Sequence, residues 1–77
     1  MTKSLYSERQ ERFCKLLIEA RKKRGMTQID ISEKLGRPQS FVAKYESGER
    51  RLDVLEFLEV AGALGIDPSR FIKQLLR

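Results

Sequence analysis

Three features of the sequence predict an all-α fold of about five short helices. Prolines and glycines divide the 77-residue chain at short intervals. Between these breaks the apolar residues recur with the spacing of a helix, and no segment alternates apolar and polar residues as a half-buried strand does. Because so short a chain buries only one modest core, we expect a single domain over residues 1–77.

The first helix is predicted from an apolar stripe and a capping motif. Ser7 followed by Gln10 fits a capping box, and Gly25 is a suitable C-terminal stop, so helix 1 is expected over about 8–24. One stripe of this helix is apolar and comprises Tyr6, Phe13, Leu16, Leu17 and Ala20.

Two shorter helices follow, joined by a tight turn. Thr27 is a good N-cap for helix 2, which is expected over about 28–35 and ends at a glycine. Pro38 suits a first helical turn and forces the residue before it out of helical geometry, so helix 3 is expected over about 38–47. Such a pair, here over about 27–48, has the shape of a helix-turn-helix, whose second helix enters the DNA major groove.

Aspartates open the last two helices. Asp53 caps helix 4, which ends at Gly65, and Asp67 caps helix 5 with Pro68 in its first position. Only two glutamates and a glycine interrupt the apolar residues of helix 4, which is too apolar for one buried face. Helix 5 adds Phe71, Ile72, Leu75 and Leu76. Part of this surface must close the core, and the rest predicts a homodimer through helices 4 and 5; core packing alone is the alternative.

The positive charge is concentrated in the middle of the chain. The net charge is +5, and residues 21–51 hold nine Lys and Arg against four Asp and Glu. A cationic surface there could bind phosphates and release their counterions. An ordinary solvated surface explains the charge equally well.

The two faces of helix 3 differ in chemistry. On a helical wheel Val42 and Tyr45 lie on an apolar side. The opposite side is small, polar and cationic, and carries Ser40, Ala43, Lys44 and Ser47. Gln39, at the N-terminal end, can offer its amide to adenine through two hydrogen bonds. The alternative is that any surface helix is polar on its outer face.

Glu46 lies on the apolar side of helix 3. A carboxylate there must find a cation or lose several kcal/mol to desolvation. Arg21 lies at the margin of the helix 1 stripe and is the partner we predict. Such an ion pair would fix helix 1 against helix 3, and neither residue would contact a base.

The two central segments resemble a known family. Residues 26–36 (MTQIDISEKLG) and 38–50 (PQSFVAKYESGER) resemble the helix-turn-helix of the lambda-repressor/Cro-like (Xre) regulators, and residues 61–66 (AGALGI) are similar to the segment that closes the family's domain. The resemblance covers about residues 13–76. It implies a lambda-repressor-like fold and a transcriptional regulator, most simply a repressor, that binds a double-stranded DNA operator.

The resemblance also implies which residues contact DNA. In the family the glutamine that opens the first motif helix and the first residues of the second helix do so, and the two glutamines can interlock. The residue before the terminal glycine and the loop after it meet the DNA backbone, with Arg51 as a further candidate. The residues implied here are Gln28, Gln39, Ser40, Lys44, Ser47 and Arg50. The family also pairs an arginine of helix 1 with the glutamate of helix 3, in agreement with Arg21 and Glu46.

Three positions depart from the family pattern. Ser32 stands where alanine is preferred and is small enough to be tolerated. Arg37 replaces a small apolar residue of the turn, so we expect it to point outward and add a phosphate contact. Phe41 occupies a site that is more often threonine or serine; packing beside Tyr45 and contact with a thymine methyl group are equally compatible with its position.

The composition excludes several classes of protein. With one cysteine and no histidine, the chain can form neither an internal disulfide nor a zinc site of Cys and His ligands. No catalytic dyad and no Gly-rich phosphate loop is present, so we expect no enzyme, cofactor, metal or small-molecule ligand. Cys14 is interpreted as a small apolar residue rather than a redox sensor. No apolar run could span a bilayer, and we expect a cytoplasmic, nucleoid-associated protein of bacterial, phage or plasmid origin.

Two other functions compete with a simple repressor. One is an antitoxin or restriction-controller protein that regulates its own operon through the same DNA-binding domain. The other is a protein-interaction module with a helix-turn-helix shape, which would leave the polar face of helix 3 without a purpose.

Overall fold

The computed structural model describes the backbone of residues 5–77 and the side chains from residue 8 onward. Within that part the chain forms five helices joined by short turns, and no strand. They are α1 (Leu5–Lys23), α2 (Gln28–Leu35), α3 (Gln39–Ser47), α4 (Val54–Leu64) and α5 (Pro68–Leu76). The predicted all-α fold is confirmed.

The first helix begins earlier than its capping pattern predicted. α1 starts at Leu5, so the backbone of Ser7 lies inside the helix and the predicted start near residue 8 is wrong. No glycine or proline interrupts this segment, and serine costs a helix little, so the helix continues through it. The predicted roles of Tyr6 in the apolar stripe and of the Ser7 side chain in a cap lie outside the described side chains.

Reciprocal capping boxes begin α2 and α4. The Thr27 hydroxyl accepts a hydrogen bond from the Asp30 N–H at 3.0 Å, and the Asp30 carboxylate accepts one from the Thr27 N–H at 2.8 Å. Asp53 and Glu56 form the same two bonds at 2.7 and 3.0 Å. Each box satisfies two backbone N–H groups that have no partner within their helix. The boundaries of both helices are therefore set by local side chains.

The turn between α2 and α3 fixes the start of the second motif helix. Gly36 has φ +68°, a left-handed conformation that glycine adopts without steric cost, and its N–H closes the last turn of α2. Pro38 follows with ψ 156°, which is extended, so it is the N-cap of α3 rather than its first helical residue as predicted. Its ring removes an N–H that would have no partner, and α3 begins at Gln39.

One core joins all five helices. Its fully buried large side chains are Leu17, Ile31, Val42 and Val60, contributed by α1 to α4. Phe71 of α5 completes the core in an aromatic cluster with Phe13 and Phe57, whose ring centroids lie 5.2 to 5.7 Å apart. Tilted and edge-to-face aromatic contacts at this separation are favourable beyond the burial of apolar area. The core holds the motif helices against α1 and α4.

Candidate nucleic-acid interface

The third helix divides into a buried face and an exposed face. Phe41, Val42, Tyr45 and Glu46 are buried, and Val42 has no exposed surface. The exposed side chains of this helix are Gln39, Ser40, Lys44 and Ser47. Packing therefore presents a row of hydrogen-bonding and cationic groups to solvent.

An ion pair buried beneath α3 ties it to α1. The Arg21 Nε and Nη2 atoms donate to the two carboxylate oxygens of Glu46 at 2.7 and 3.0 Å. A third bond runs from Arg21 Nη1 to the Met26 carbonyl at 2.9 Å. The two charged side chains are 12% and 5% exposed, and the hydrogen bond to Glu46 raises the pKa of Arg21. The carboxylate on the apolar side of α3 is thus paired with the predicted arginine.

Two glutamines extend this pair to the exposed end of α3. The Gln28 Nε2 atom donates to Glu46 Oε1 at 3.0 Å, and the Gln39 Nε2 atom donates to Gln28 Oε1 at 3.2 Å. The contact between the glutamines is the interlock that the resemblance implied, whereas the bond from Gln28 to Glu46 was not predicted. We call the four side chains from Arg21 through Glu46 and Gln28 to Gln39 the polar relay. It runs from the core margin to the surface.

The ring of Phe41 packs in the core, which decides between the two positions the sequence left open. It is 9% exposed and makes an edge contact with Tyr45 at a centroid distance of 5.5 Å. The guanidinium groups of Arg37 and Arg50 lie over it at 4.5 and 4.9 Å from the ring centroid. Such cation–π contacts favour both arginines at the surface beside α3. Of the two positions, packing beside Tyr45 is therefore the one that the structure shows.

Carboxylates of α4 hold the same two arginines. Arg50 donates to both oxygens of Glu56 at 3.0 and 2.8 Å, and the pKa of Glu56 falls to about 2, chiefly because of this hydrogen bonding. Arg37 points outward as expected, but it lies 3.5 Å from Glu59. Both arginine side chains remain more than a third exposed. They link the ends of α3 to α4, and each is paired with a carboxylate there.

Two serines of the motif are satisfied within the chain. The Ser47 hydroxyl donates to the Lys44 carbonyl at 3.1 Å and accepts from the Glu49 N–H at 3.3 Å, which closes the end of α3. The buried Ser32 hydroxyl donates to the Ile29 carbonyl at 2.8 Å. The serine at a position where alanine is preferred is therefore accommodated by a bond within its own helix.

Cys14 lies beneath the C-terminal half of α3. It is buried, its thiol donates to the Tyr45 carbonyl at 3.4 Å, and burial raises its pKa. Gly48, with φ +87°, passes close by: a Cβ atom there would lie 3.9 Å from the sulfur. A protonated, buried thiol matches a small apolar residue and not a reactive thiolate.

The fourth helix also has two faces. Its buried side chains are Phe57, Val60, Ala61 and Leu64, whereas Val54, Leu55 and Leu58 are 73%, 72% and 46% exposed. Ile72 and Leu76 of α5 are exposed as well. We call these five exposed residues the α4–α5 apolar surface. Part of the apolar content of α4 therefore closes the core, and the remainder faces solvent.

The roles of Glu56 and Glu59 were missed at the sequence level. Neither the contact of Glu56 with Arg50 nor that of Glu59 with Arg37 was predicted from the sequence. The bond between Gln28 and Glu46 was also missed, because it depends on how α2 packs against α3.

Known proteins are similar to this chain in sequence and fold. The helix-turn-helix family model matches residues 17–71. The solved structure of an XRE-family like protein from Pseudomonas syringae pv. tomato str. DC3000 is 44% identical, with a TM-score of 0.89 over 92% of this chain and 87% of that chain. A mutant of the restriction-modification controller protein C.Esp1396I is 20% identical, with a TM-score of 0.81 over 88% of this chain and 86% of that chain. No curated protein matches the chain.

The family model and the 44% identical structure show that the chain is a helix-turn-helix protein. The chain belongs to the XRE-type helix-turn-helix family of DNA-binding transcriptional regulators. The similarity to the controller protein shows the shared fold alone. In the described part of the chain, no helix is both long and apolar enough to cross a membrane.

Proposed function

We propose that the chain binds double-stranded DNA sequence-specifically by inserting α3 into the major groove of an operator. The observation that carries this proposal is the position of Gln39: its side chain is exposed at the first residue of α3, and its amide is held by Gln28. An amide fixed at the N-terminus of a recognition helix can bind the edge of a base.

The other exposed residues of α3 take complementary roles. Ser40 and Lys44 lie on the same exposed side as Gln39 and contact bases or phosphates, while Gln28 and Ser47 lie at the two ends where the DNA backbone passes. Arg37 and Arg50 add positive charge at the rim, although each already contacts a carboxylate of α4. Phosphate contacts of this kind supply most of the affinity and make it depend on salt.

The chain acts as a homodimer through the α4–α5 apolar surface. Leucine and valine side chains that are about three-quarters exposed on one helix are a cost to a monomer in water, and a second copy of the same surface would cover them. A single helix-turn-helix domain also makes few contacts with DNA. Two such domains related by twofold symmetry would bind half-sites about one helical turn apart.

We propose that the chain is a repressor. It would act on DNA of the nucleoid in the cytoplasm. A dimer that occupies an operator excludes other proteins from the same stretch of duplex. A reporter gene placed behind the selected site is expected to fall in expression when the protein is supplied. A rise in expression would overturn the repressor role while leaving the binding role intact.

The test of the binding role is selection of bound duplexes from a random pool. We expect an enriched, roughly palindromic site with two half-sites separated by about one helical turn. A single unrepeated half-site would contradict the dimer. Binding without any enrichment, or no binding at physiological salt, would contradict sequence-specific recognition and favour a protein-interaction module.

A further inference from the structure

The hydrogen-bond directions in the polar relay are fixed at its buried end. A carboxylate can only accept hydrogen bonds, and Glu46 is held by the Arg21 guanidinium, so the side chain of Gln28 must direct its NH2 group toward it. The Oε1 atom of Gln28 then points away from Glu46. Gln39 can meet that oxygen only through its own NH2 group, as it does at 3.2 Å.

We propose that Glu46 is a positioning residue that determines which base Gln39 selects, acting through Gln28. This inference deepens the proposed function and rests on it. With one N–H of Gln39 committed to Gln28, the amide presents its Oε1 atom and one remaining N–H to the groove. Glu46 thus determines, through Gln28, that Gln39 presents one acceptor and one donor to the groove.

The imposed pattern matches adenine and does not match guanine. In the major groove adenine offers an acceptor at N7 and a donor at N6, which one N–H and one oxygen of Gln39 satisfy together. Guanine offers two acceptors, N7 and O6, and would face the Gln39 oxygen with a lone pair opposite a lone pair. If the Gln39 amide could flip and exchange its oxygen and NH2 group, the discrimination between adenine and guanine would weaken. Burial of Glu46, whose side chain is 5% exposed, keeps the relay from reversing.

The test compares Glu46→Gln with Glu33→Gln, a matched substitution of an exposed glutamate on α2. A glutamine at position 46 can still accept a bond from Arg21, but it no longer forces the direction of the Gln28 amide. For each protein we measure the ratio of affinities for the selected site and for the site in which the pair read by Gln39 is changed from A·T to G·C. We expect this ratio to fall by about tenfold in Glu46→Gln and to stay unchanged in Glu33→Gln.

A second variant tests whether Glu46 acts through Gln28. Gln28→Met removes the middle of the relay, and we expect the same loss of discrimination. Because the two residues act in series, the double variant should discriminate no worse than Gln28→Met alone. Independent, additive losses would assign Glu46 a structural role only and overturn the inference.

A measurement without DNA separates this inference from the proposed function. In the free protein the side-chain NH2 resonances of Gln28 and Gln39 are expected to shift in Glu46→Gln and to stay in place in Glu33→Gln. Unshifted resonances, or discrimination that survives in Glu46→Gln, would overturn the inference while the proposed function stands. If the unmodified chain itself shows no base preference, the proposed function fails, and the inference fails with it.

Discussion

Arg21 of α1 and Glu46 of α3 are joined by two hydrogen bonds, at 2.7 and 3.0 Å, between side chains that are 12% and 5% exposed. The pair lies under the helix that presents Gln39 and Lys44. Its geometry therefore affects both the stability of the fold and the position of the exposed face of α3.

Replacing Glu46 with alanine is expected to destabilise the protein. The substitution leaves the Arg21 guanidinium mostly buried without its carboxylate, and breaking one side of such a pair costs on the order of 3 kcal/mol. Denaturant unfolding followed by circular dichroism measures the change, with Glu49→Ala, at an exposed position, as the control. Equal midpoints for the two variants would show that the pair contributes nothing to stability.

Replacing Gln39 with alanine is expected to weaken sequence discrimination and leave stability almost unchanged. The side chain is exposed, so its removal opens no cavity, while a base contact through two hydrogen bonds is worth about 1–3 kcal/mol of discrimination. Competition binding with single-base variants of the selected site measures the loss. Gln74→Ala on α5 is the control. If both variants discriminated as the unmodified chain does, Gln39 would not be the reading residue.

Local signals explain which parts of the fold could be predicted. The starts of α2, α4 and α5 and the ends of α2 and α4 follow from capping residues and glycines adjacent to them in sequence. The start of α1 was predicted wrongly because Ser7 resembles a cap but is also compatible with a helix interior. A local pattern fixes a boundary only where the backbone cannot continue.

The site was predictable only up to the faces of its helices. Helical periodicity separates the exposed and buried sides of α3. It also places Arg21 at the margin of the apolar stripe of helix 1, which is why Arg21 could be predicted as the partner of Glu46. It cannot decide a side chain at the border: Phe41 packs beside Tyr45, with two arginines from different segments over its ring. The bond from Gln28 to Glu46 joins side chains 18 residues apart and depends on the packing of α2 against α3.

Placing a charge on the α4–α5 apolar surface is expected to dissociate the dimer without unfolding the monomer. Leu55 is 72% exposed, so Leu55→Asp costs the isolated chain little, but in the dimer the carboxylate would be buried without a partner. Sedimentation equilibrium measures the mass. The control is Ile29→Asp, at an exposed apolar residue of α2 outside this surface. If Leu55→Asp kept the dimeric mass, the interface would have to lie elsewhere.

Acid is expected to weaken the link between Arg50 and Glu56. Hydrogen bonding to Arg50 lowers the pKa of Glu56 from 4.5 to about 2 in the folded chain. The stabilisation is therefore complete above the unfolded pKa and is lost as the pH falls toward about 2. Free energies of unfolding at steps from pH 6 to about pH 2 should decline less in Glu56→Gln than in Glu49→Gln. Parallel curves would show that the pair does not contribute.

The thiol of Cys14 is expected to react slowly with an alkylating reagent in the folded protein. The side chain is 7% exposed, its pKa is raised by burial, and only the thiolate is nucleophilic. Because the sulfur lies against the Tyr45 carbonyl, a reagent must wait for α1 and α3 to separate. The rate of labelling should therefore rise with added denaturant in proportion to the open population, and the fully unfolded chain supplies the control rate. Labelling that is as fast in the folded protein as in the unfolded chain would contradict the burial and would support a redox role for this cysteine instead.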